Sequence, residues 1–309
     1  MVRRISLVLA LALVALLAGC KSKDQAPAAA ATTPEGAVQA AVASLKAGDL
    51  AALVQAQVPP QHMDTLRAEW KRDMAEDPPS DEDRQQFAQM MADLTAADAN
   101  ERLFAQLEPQ IVRFETEIVP NMPTYIEMGR GLLEAGIKER KDFNEEQKQQ
   151  ALKSVDALVG WLESTRFTDR DKARSAISQI TAAARELNLK TLDEARALDF
   201  DQAMARGSIA FRGFKDVLAT YGFKVDELLG SVRTEVLSRD GNQAKVRIHY
   251  SLLGSPLSFE AELVEVDPNF ELGWERATIL GEEQAANRLL HYVGHTTDVH
   301  PNRRRVAEM

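Results

Sequence analysis

SVRTEVLSRDGNQAKVRIHYSLLGSPLSFEAELV, Ser231 to Val264, is the stretch whose reading decides the fold. Val232, Thr234 and Val236 alternate with Arg233, Glu235 and Leu237. Ala244, Val246, Ile248 and Tyr250 alternate with Lys245, Arg247 and His249, and Leu257, Phe259, Ala261 and Leu263 with Ser258, Glu260 and Glu262. A period of two with one apolar face predicts three antiparallel strands, half-buried. The pattern also constrains the pairing. With Leu253-Gly254 at the tip of the second hairpin, Tyr250 faces Leu257, Ile248 faces Phe259 and Val246 faces Ala261. On the other face Arg247 then meets Glu260 and Lys245 meets Glu262. A slip of one residue would set every apolar side chain against the wrong face, whereas a slip of two would keep the pattern. In the first hairpin a two-residue Asp240-Gly241 turn would oppose Glu235 and Val246. A three-residue Asp240-Gly241-Asn242 loop instead pairs Val236 with Val246 and Glu235 with Arg247, so that loop is expected. A fourth strand is expected around Glu271 to Thr278, then a closing helix, Glu282 to Tyr292, and a basic tail ending in Arg303-Arg304-Arg305.

Upstream the period is helical. Val38, Val42 and Leu45, then Leu50, Leu53 and Val54, recur at helical spacing on either side of Ala47-Gly48-Asp49. Thr33 before Pro34 is an expected N-cap with proline at the first helical position, and Asp49 caps the next helix. Pro59-Pro60 opens a segment through Met74. The acidic DPPSDEDR run reads as a solvated turn before Phe87, Met90, Met91 and Leu94, since it lacks the alternating ligands and central glycine of a calcium loop. A longer segment, Leu103 to Ile118, is expected to bend at Pro109 and to stop at Pro120 and Pro123. Asn144 caps a helix whose inward face is Leu152, Val155, Leu158, Val159 and Leu162. Thr168 is expected to cap the next, with Ile177, Ile180 and Leu187 inward. Thr191 to Glu194 fits a capping box, and a last long helix from about Phe200 to Tyr221 ends at Gly222. The fold class expected is α+β: a mainly helical body, 34–230, then an antiparallel sheet of three to four strands, closing helix and basic tail, 231–309, with 34–309 one folded unit.

The chain starts differently. Arg3 and Arg4 precede an apolar run, Ile5 to Leu17, interrupted only by Ser6. Such a start describes a secretory signal peptide, and the run is shorter than the ~20 residues that span a bilayer. The sequence Leu17-Ala18-Gly19-Cys20 resembles the lipobox of bacterial lipoproteins. That resemblance implies removal of 1–19 and a lipidated Cys20 as the mature N-terminus, with diacylglycerol on the sulfur and an acyl chain such as palmitate on the amine. Residues 20–33 then form a lipidated, flexible tether to the folded body. Lys21 in place of aspartate resembles the signal that sends lipoproteins of Gram-negative bacteria to the outer membrane, so the expected location there is the outer membrane, facing the periplasm. Cys20 is the single cysteine, so no disulfide framework within the chain is available.

Composition narrows the partners. Loss of 1–19 removes two arginines and moves the formal charge from −10 to −12. Phosphates attract lysine and arginine, so no nucleic acid is expected as a partner. At 6% aromatic, the chain offers few platforms for stacking bases or sugars.

The opening TPEGAVQAAVASLKAGDLAALV and the closing RDGNQAKVRIHYSLLGSPLSFEAELVEVD with GWE resemble bacterial lipoproteins of the nuclear transport factor two-like, cystatin-like cone type. The resemblance covers about a third of the chain. It implies a first helix packed into a curved antiparallel sheet, and a cone that holds a small ligand or an active site. Some 170 helical residues lie between the two matching ends, more than that family carries.

Chemistry-bearing patterns are sparse. His291, His295 and His300 are the weak candidates for a metal site. The first two sit at i and i+4, but Tyr292 stands where the zincin pattern needs glutamate, and two imidazoles leave zinc short of ligands. They read as a helix end and tail, so no metal and no cofactor is expected. Gly131-Leu-Leu-Glu-Ala-Gly136-Ile137-Lys138 lacks the lysine, hydroxyl and preceding strand of a phosphate loop, and reads as a helix with small residues at a packing contact. His249 lies in a strand among Lys245, Arg247 and Glu260, an expected solvated, ion-paired face. No catalytic residues stand out. The expectation is a non-catalytic envelope lipoprotein attached to the membrane through Cys20 and binding an envelope protein partner or a small apolar ligand. The rival is a cone-fold enzyme of the polyketide-cyclase-like type, with a pocket between sheet and helices. A closed pocket lined by a convergent acid, histidine and tyrosine would favour the enzyme, and an exposed apolar groove over a solid core the binding module.

Overall fold

The computed structural model describes residues 33–276 apart from 59, 77 and 267–272. The expected signal peptide and lipobox, Cys20, the expected closing helix, His291, His295, His300 and the arginine-rich end of the sequence lie outside the described residues. Within them the chain is α+β: eleven α-helices, then an antiparallel sheet.

The first helices form where the capping chemistry predicts. Thr33 accepts from Gly36 N at 3.1 Å, Pro34 takes the first helical position, and α1 runs Pro34–Ala47. Gly48 ends it at φ +67°, and a Cβ there would lie 2.4 Å from Arg212 Cγ, so both conformation and space select glycine. Asp49 caps α2, Leu50–Gln57. α3 is Pro60–Ala75. The acidic run is not a loop throughout: Ser80 and Asp83 form a capping box, and Asp81, Glu82 and Asp83 are the first turn of α4, Asp81–Thr95. Carboxylates there meet the positive end of the helix dipole.

α5, Ala99–Glu117, carries Pro109 inside a continuous helix. A 3-10 turn, Val119–Asn121, leads into α6, Met122–Glu139, with Pro123 in its first turn, so Pro123 helps begin a helix where a stop was expected. Asn144 caps α7, Glu145–Ser164, through a capping box with Gln147. Asp169, not Thr168, caps α8, Arg170–Leu187, because its carboxylate accepts from both Asp171 N and Lys172 N. Thr191 and Glu194 cap α9, Leu192–Arg196. α10, Phe200–Thr220, ends before Gly222 at φ +86°, and α11 is Val225–Gly230.

α8 and α10 pack so closely that a Cβ on Gly213 would lie 2.8 Å from Ala183 Cβ. Two apolar clusters flank this pair. Phe200, Ala203 and Met204 of α10 pack on Ala51 and Val54 of α2 and on Met63, Leu66 and Trp70 of α3. Phe104 and Ile111 of α5 pack on Ala173 and Ile177 of α8. Buried polar groups in these contacts are paired, as burial requires: Leu50 N donates to Ser208 Oγ at 2.9 Å, and Thr181 Oγ1 bonds Asn100 Oδ1 at 2.6 Å. Ile180, expected inward, is exposed on the far side of α8.

The sheet order is β1-β2-β3-β4, with β1 Arg233–Asp240, β2 Gln243–Leu252, β3 Ser255–Val266 and β4 Gly273–Arg276. The register is the expected one: Tyr250 opposes Leu257, Val246 opposes Ala261 and Val236, and Arg247 opposes Glu260 and Glu235. The first turn differs. Asp240 pairs with Gln243 across a two-residue Gly241-Asn242 turn, and a bulge at Leu237 restores the downstream pairing. A bulge and an extra loop residue move the register by the same one step, so the pattern could not separate them.

α1 lies on the apolar face, where Ala37 and Val38 pack on Ala244, Val246 and Leu263. Burying a side chain such as Val246, 0% exposed, contributes ~1.5–3 kcal/mol. A cross-strand ion pair on the other face contributes ~0.2–1 kcal/mol. Stability therefore comes from the α1 face, and the charged face serves register. Phe259 was expected inward, yet it is exposed and meets Tyr250 edge-on at 5.9 Å.

Candidate functional site

Two regions combine exposure with unusual composition, the charged face of the sheet and the outer side of α6. On the sheet, Glu235, Arg247 and Glu260 share one face as expected. Arg247 Nη2 is 2.7 Å from Glu260 Oε1, Lys245 Nζ is 2.5 Å from Glu260 Oε2, and His249 Nε2 is 3.3 Å from Glu235 Oε2. The face is less open than expected, because α7 lies against β3. Gln150 accepts from Ser258 N at 3.1 Å, satisfying a backbone donor of β3, and Glu146 approaches Arg247 to 3.7 Å. Arg247 is thus half-buried between two carboxylates, with its Nε buried and unpartnered. The Glu260 hydrogen bond, then the Glu146 charge, hold its pKa above the ordinary value. Lys245 and then Arg247 hold the Glu260 carboxyl below its own. These are neutralised pairs, and His249 stays on the exposed rim. The arrangement joins strands and helix.

The other region is apolar. α6 rests on α7, and a groove of about 360 Å³ opens between them. Its walls are Tyr125, Ile126, Gly129 and Leu133 from α6 and Val155, Leu158, Val159, Trp161 and Leu162 from α7. Leu158 and Leu162, expected inward, are partly exposed here, while Val155 and Val159 are buried. The α7 wall is held from behind: Trp161 Nε1 donates to Tyr221 O at 2.9 Å, and its ring meets Phe167 and Phe223 edge-on at 5.6 and 5.5 Å. Burial, then the Asp169 charge, push the Tyr221 phenol up.

One charged side chain, Arg130, lines the groove, and carboxylates surround it. Glu134 lies at 3.0 Å, Glu127 at 3.7 Å, and Asp156 of α7 bonds Nη2. Hydrogen bonds from Lys138 and then Arg130 hold Glu134 below the usual carboxylate range. With its charge answered from within, Arg130 gives the groove no free anion-binding group. The lining carries no carboxylate and no histidine.

The apolar surface continues past the groove onto the crest of α6. Leu132 is 70% exposed, Met128 60%, Leu133 57% and Tyr125 45%. Gly131 and Gly136 lie on a helix as expected, but not at a packing contact: a Cβ on either, or on the nearby Gly129, would meet nothing within 4 Å. From the sequence a helix is expected here, but with no exposed apolar side assigned to it. The signal was present, since Tyr125, Gly129, Leu132 and Gly136 recur with steps of four, three and four.

No protein-family model, no curated protein and no solved structure matches the chain. Among the described residues no group of three or more histidine, cysteine or acidic side chains could hold a metal, and no helix is long and apolar enough to cross a membrane.

Proposed function

We propose that this chain is a bacterial envelope lipoprotein, attached to the membrane by acyl chains on Cys20, and that it works by binding a protein partner through the apolar α6–α7 ridge. The lipobox Leu17 to Cys20 after a short apolar run supports the anchor, and Lys21 supports the outer membrane of a Gram-negative host, facing the periplasm. Two or more acyl chains hold stably, each buried methylene adding ~0.8 kcal/mol.

One observation carries the binding reading: α6 leaves Leu132 and Met128 more than half exposed beside a groove without a free charge. Exposed apolar patches of this kind mark interaction sites. A pocket for a small apolar ligand encloses most of its guest. Here the apolar surface runs out of the groove and over the helix crest, a shape that suits a protein surface laid along α6.

Both halves are testable on the full chain. Cells grown on labelled palmitate should label the wild type and not Cys20→Ser, and only the wild type should stay with the membrane. Equal labelling removes the anchor. A fluorescent apolar dye should brighten on the purified protein, and Leu133→Asp should cut that signal by more than half. An unchanged signal removes the ridge as the apolar site.

A further inference from the structure

We infer that the surface which covers α6 is α6 of a second copy of this chain, in an antiparallel pair about a two-fold axis. This rests on reading the α6–α7 ridge as a protein-docking surface, and names its occupant.

The argument begins with the glycines. A glycine inside a helix costs about 0.5–1 kcal/mol relative to alanine. α6 carries Gly129, Gly131 and Gly136, and a Cβ at each would stand in open space. The fold of one chain therefore has no steric need for them. Gly129 and Gly136 are seven residues apart, two helical turns, on the side of α6 that carries Tyr125 and Leu132. Along this side the order is large, small, large, small, at the spacing of a helix-pairing seam.

That order selects one partner geometry. In a parallel pair Tyr125 would meet Tyr125 and Gly129 would meet Gly129, which leaves collisions and voids. In an antiparallel pair centred between Arg130 and Gly131, Tyr125 meets Gly136 of the other copy and Gly129 meets Leu132. Each large side chain then enters a position without a Cβ, and Met128 meets Leu133. The relation is reciprocal, as a two-fold contact requires.

Charge permits this pair, and area limits its strength. The chain is acidic, with a formal net charge of −10, so copies repel over most of their surface. The seam residues Tyr125, Met128, Gly129, Leu132, Leu133 and Gly136 are uncharged, and Arg130 is answered by Glu127, Glu134 and Asp156 of its own chain. Pairing thus strands no charge. A helix of this length, ~27 Å by ~10–12 Å wide, offers a strip of roughly 300 Å². A standard interface takes ~800 Å² from each partner. The pair must also engage Leu158 and Leu162 of α7, and the association is of the weak, concentration-dependent class.

The test uses the full chain in mild detergent, with Cys20→Ser so that no native thiol competes. One preparation carries Gly129→Cys and another Leu132→Cys. Mixed and oxidised, they should give a disulfide-linked dimer at least fivefold above Gly131→Cys oxidised alone, since Gly131 lies away from the seam. Adding Gly136→Leu to both preparations should abolish the product, although that residue meets nothing within its own chain. A mixed product no stronger than the Gly131→Cys control overturns the pair, as does one indifferent to Gly136→Leu. Dye binding sensitive to Leu133→Asp would in that case leave the ridge standing as a docking surface for another partner. Loss of both signals would remove the ridge itself.

Discussion

Lys215 Nζ of α10 lies 2.7 Å from the carbonyl oxygen of Lys46, and the same ammonium sits 2.7 Å from Asp226 Oδ1. The lysine is buried, and it joins the last turn of α1 to α11. Carbonyls in the last turn of a helix have no partner within it, so a buried cation there satisfies them and meets the negative end of the dipole. Lys215→Met keeps most of the volume and removes the donors. It should lower unfolding free energy by ~1.5–3 kcal/mol, the net worth of hydrogen bonds made by a charged group. Urea unfolding measures this. Lys224→Met, whose exposed ammonium pairs with Glu227, serves as control and should change stability by less than ~0.5 kcal/mol.

Gly48→Ala should cost more than its size suggests. The residue holds φ +67°, where a Cβ costs ~1–2 kcal/mol, and the new methyl would also press on Arg212 Cγ. Combining it with Arg212→Ala should recover only the collision. A double variant as stable as Arg212→Ala alone would show that backbone strain at Gly48 is negligible.

The legible parts of this molecule are those set by neighbours in sequence or by a repeating pattern. The capping boxes at Asn144 and Thr191 close within four residues, so spacing reveals them. The pairing of Arg247 with Glu260 follows from two constraints: the alternation of β2 and β3 excludes a slip of one residue, and the tip at Leu253-Gly254 excludes a slip of two. Asp169 caps α8 in place of the expected Thr168 because its carboxylate is the better acceptor, a competition between adjacent residues that composition leaves open. The α6–α7 groove was illegible for a different reason. Leu158 and Leu162 continue the apolar stripe of Val155 and Val159, and only the position of α6 decides which are covered. The same holds for Ile180.

Leu253 should be improvable. In the hairpin joining β2 to β3, Leu253 has φ +52° and Gly254 φ +89°, two positive values in a row, as in a type I′ turn. Glycine suits such a position and leucine does not, whereas asparagine tolerates it. Leu253→Asn should stabilise the fold by up to ~1 kcal/mol, raising the urea midpoint at unchanged slope. A lower midpoint would mean that the partly buried leucine contributes more by packing than it loses to strain.

The charged face of the sheet should be visible in the acid limb of the stability curve. Lys245 and then Arg247 hold the Glu260 carboxyl below its ordinary value, so the folded state binds this proton less readily than the unfolded chain. A depressed folded pKa gives stability that is fully present above the unfolded value, ~4.3 for glutamate. It is lost as pH falls through the lower, folded value. Glu260→Gln removes the titration. At neutral pH the variant should be slightly less stable than wild type, since pairs of this exposure are weak. As pH falls through the folded value the two should converge, because the wild-type carboxyl is then protonated as well. Paired urea titrations from pH 7 to pH 3 measure the difference. A gap that stays constant across that range would show that Glu260 acts through packing or hydrogen bonding, and that its charge contributes nothing to folding.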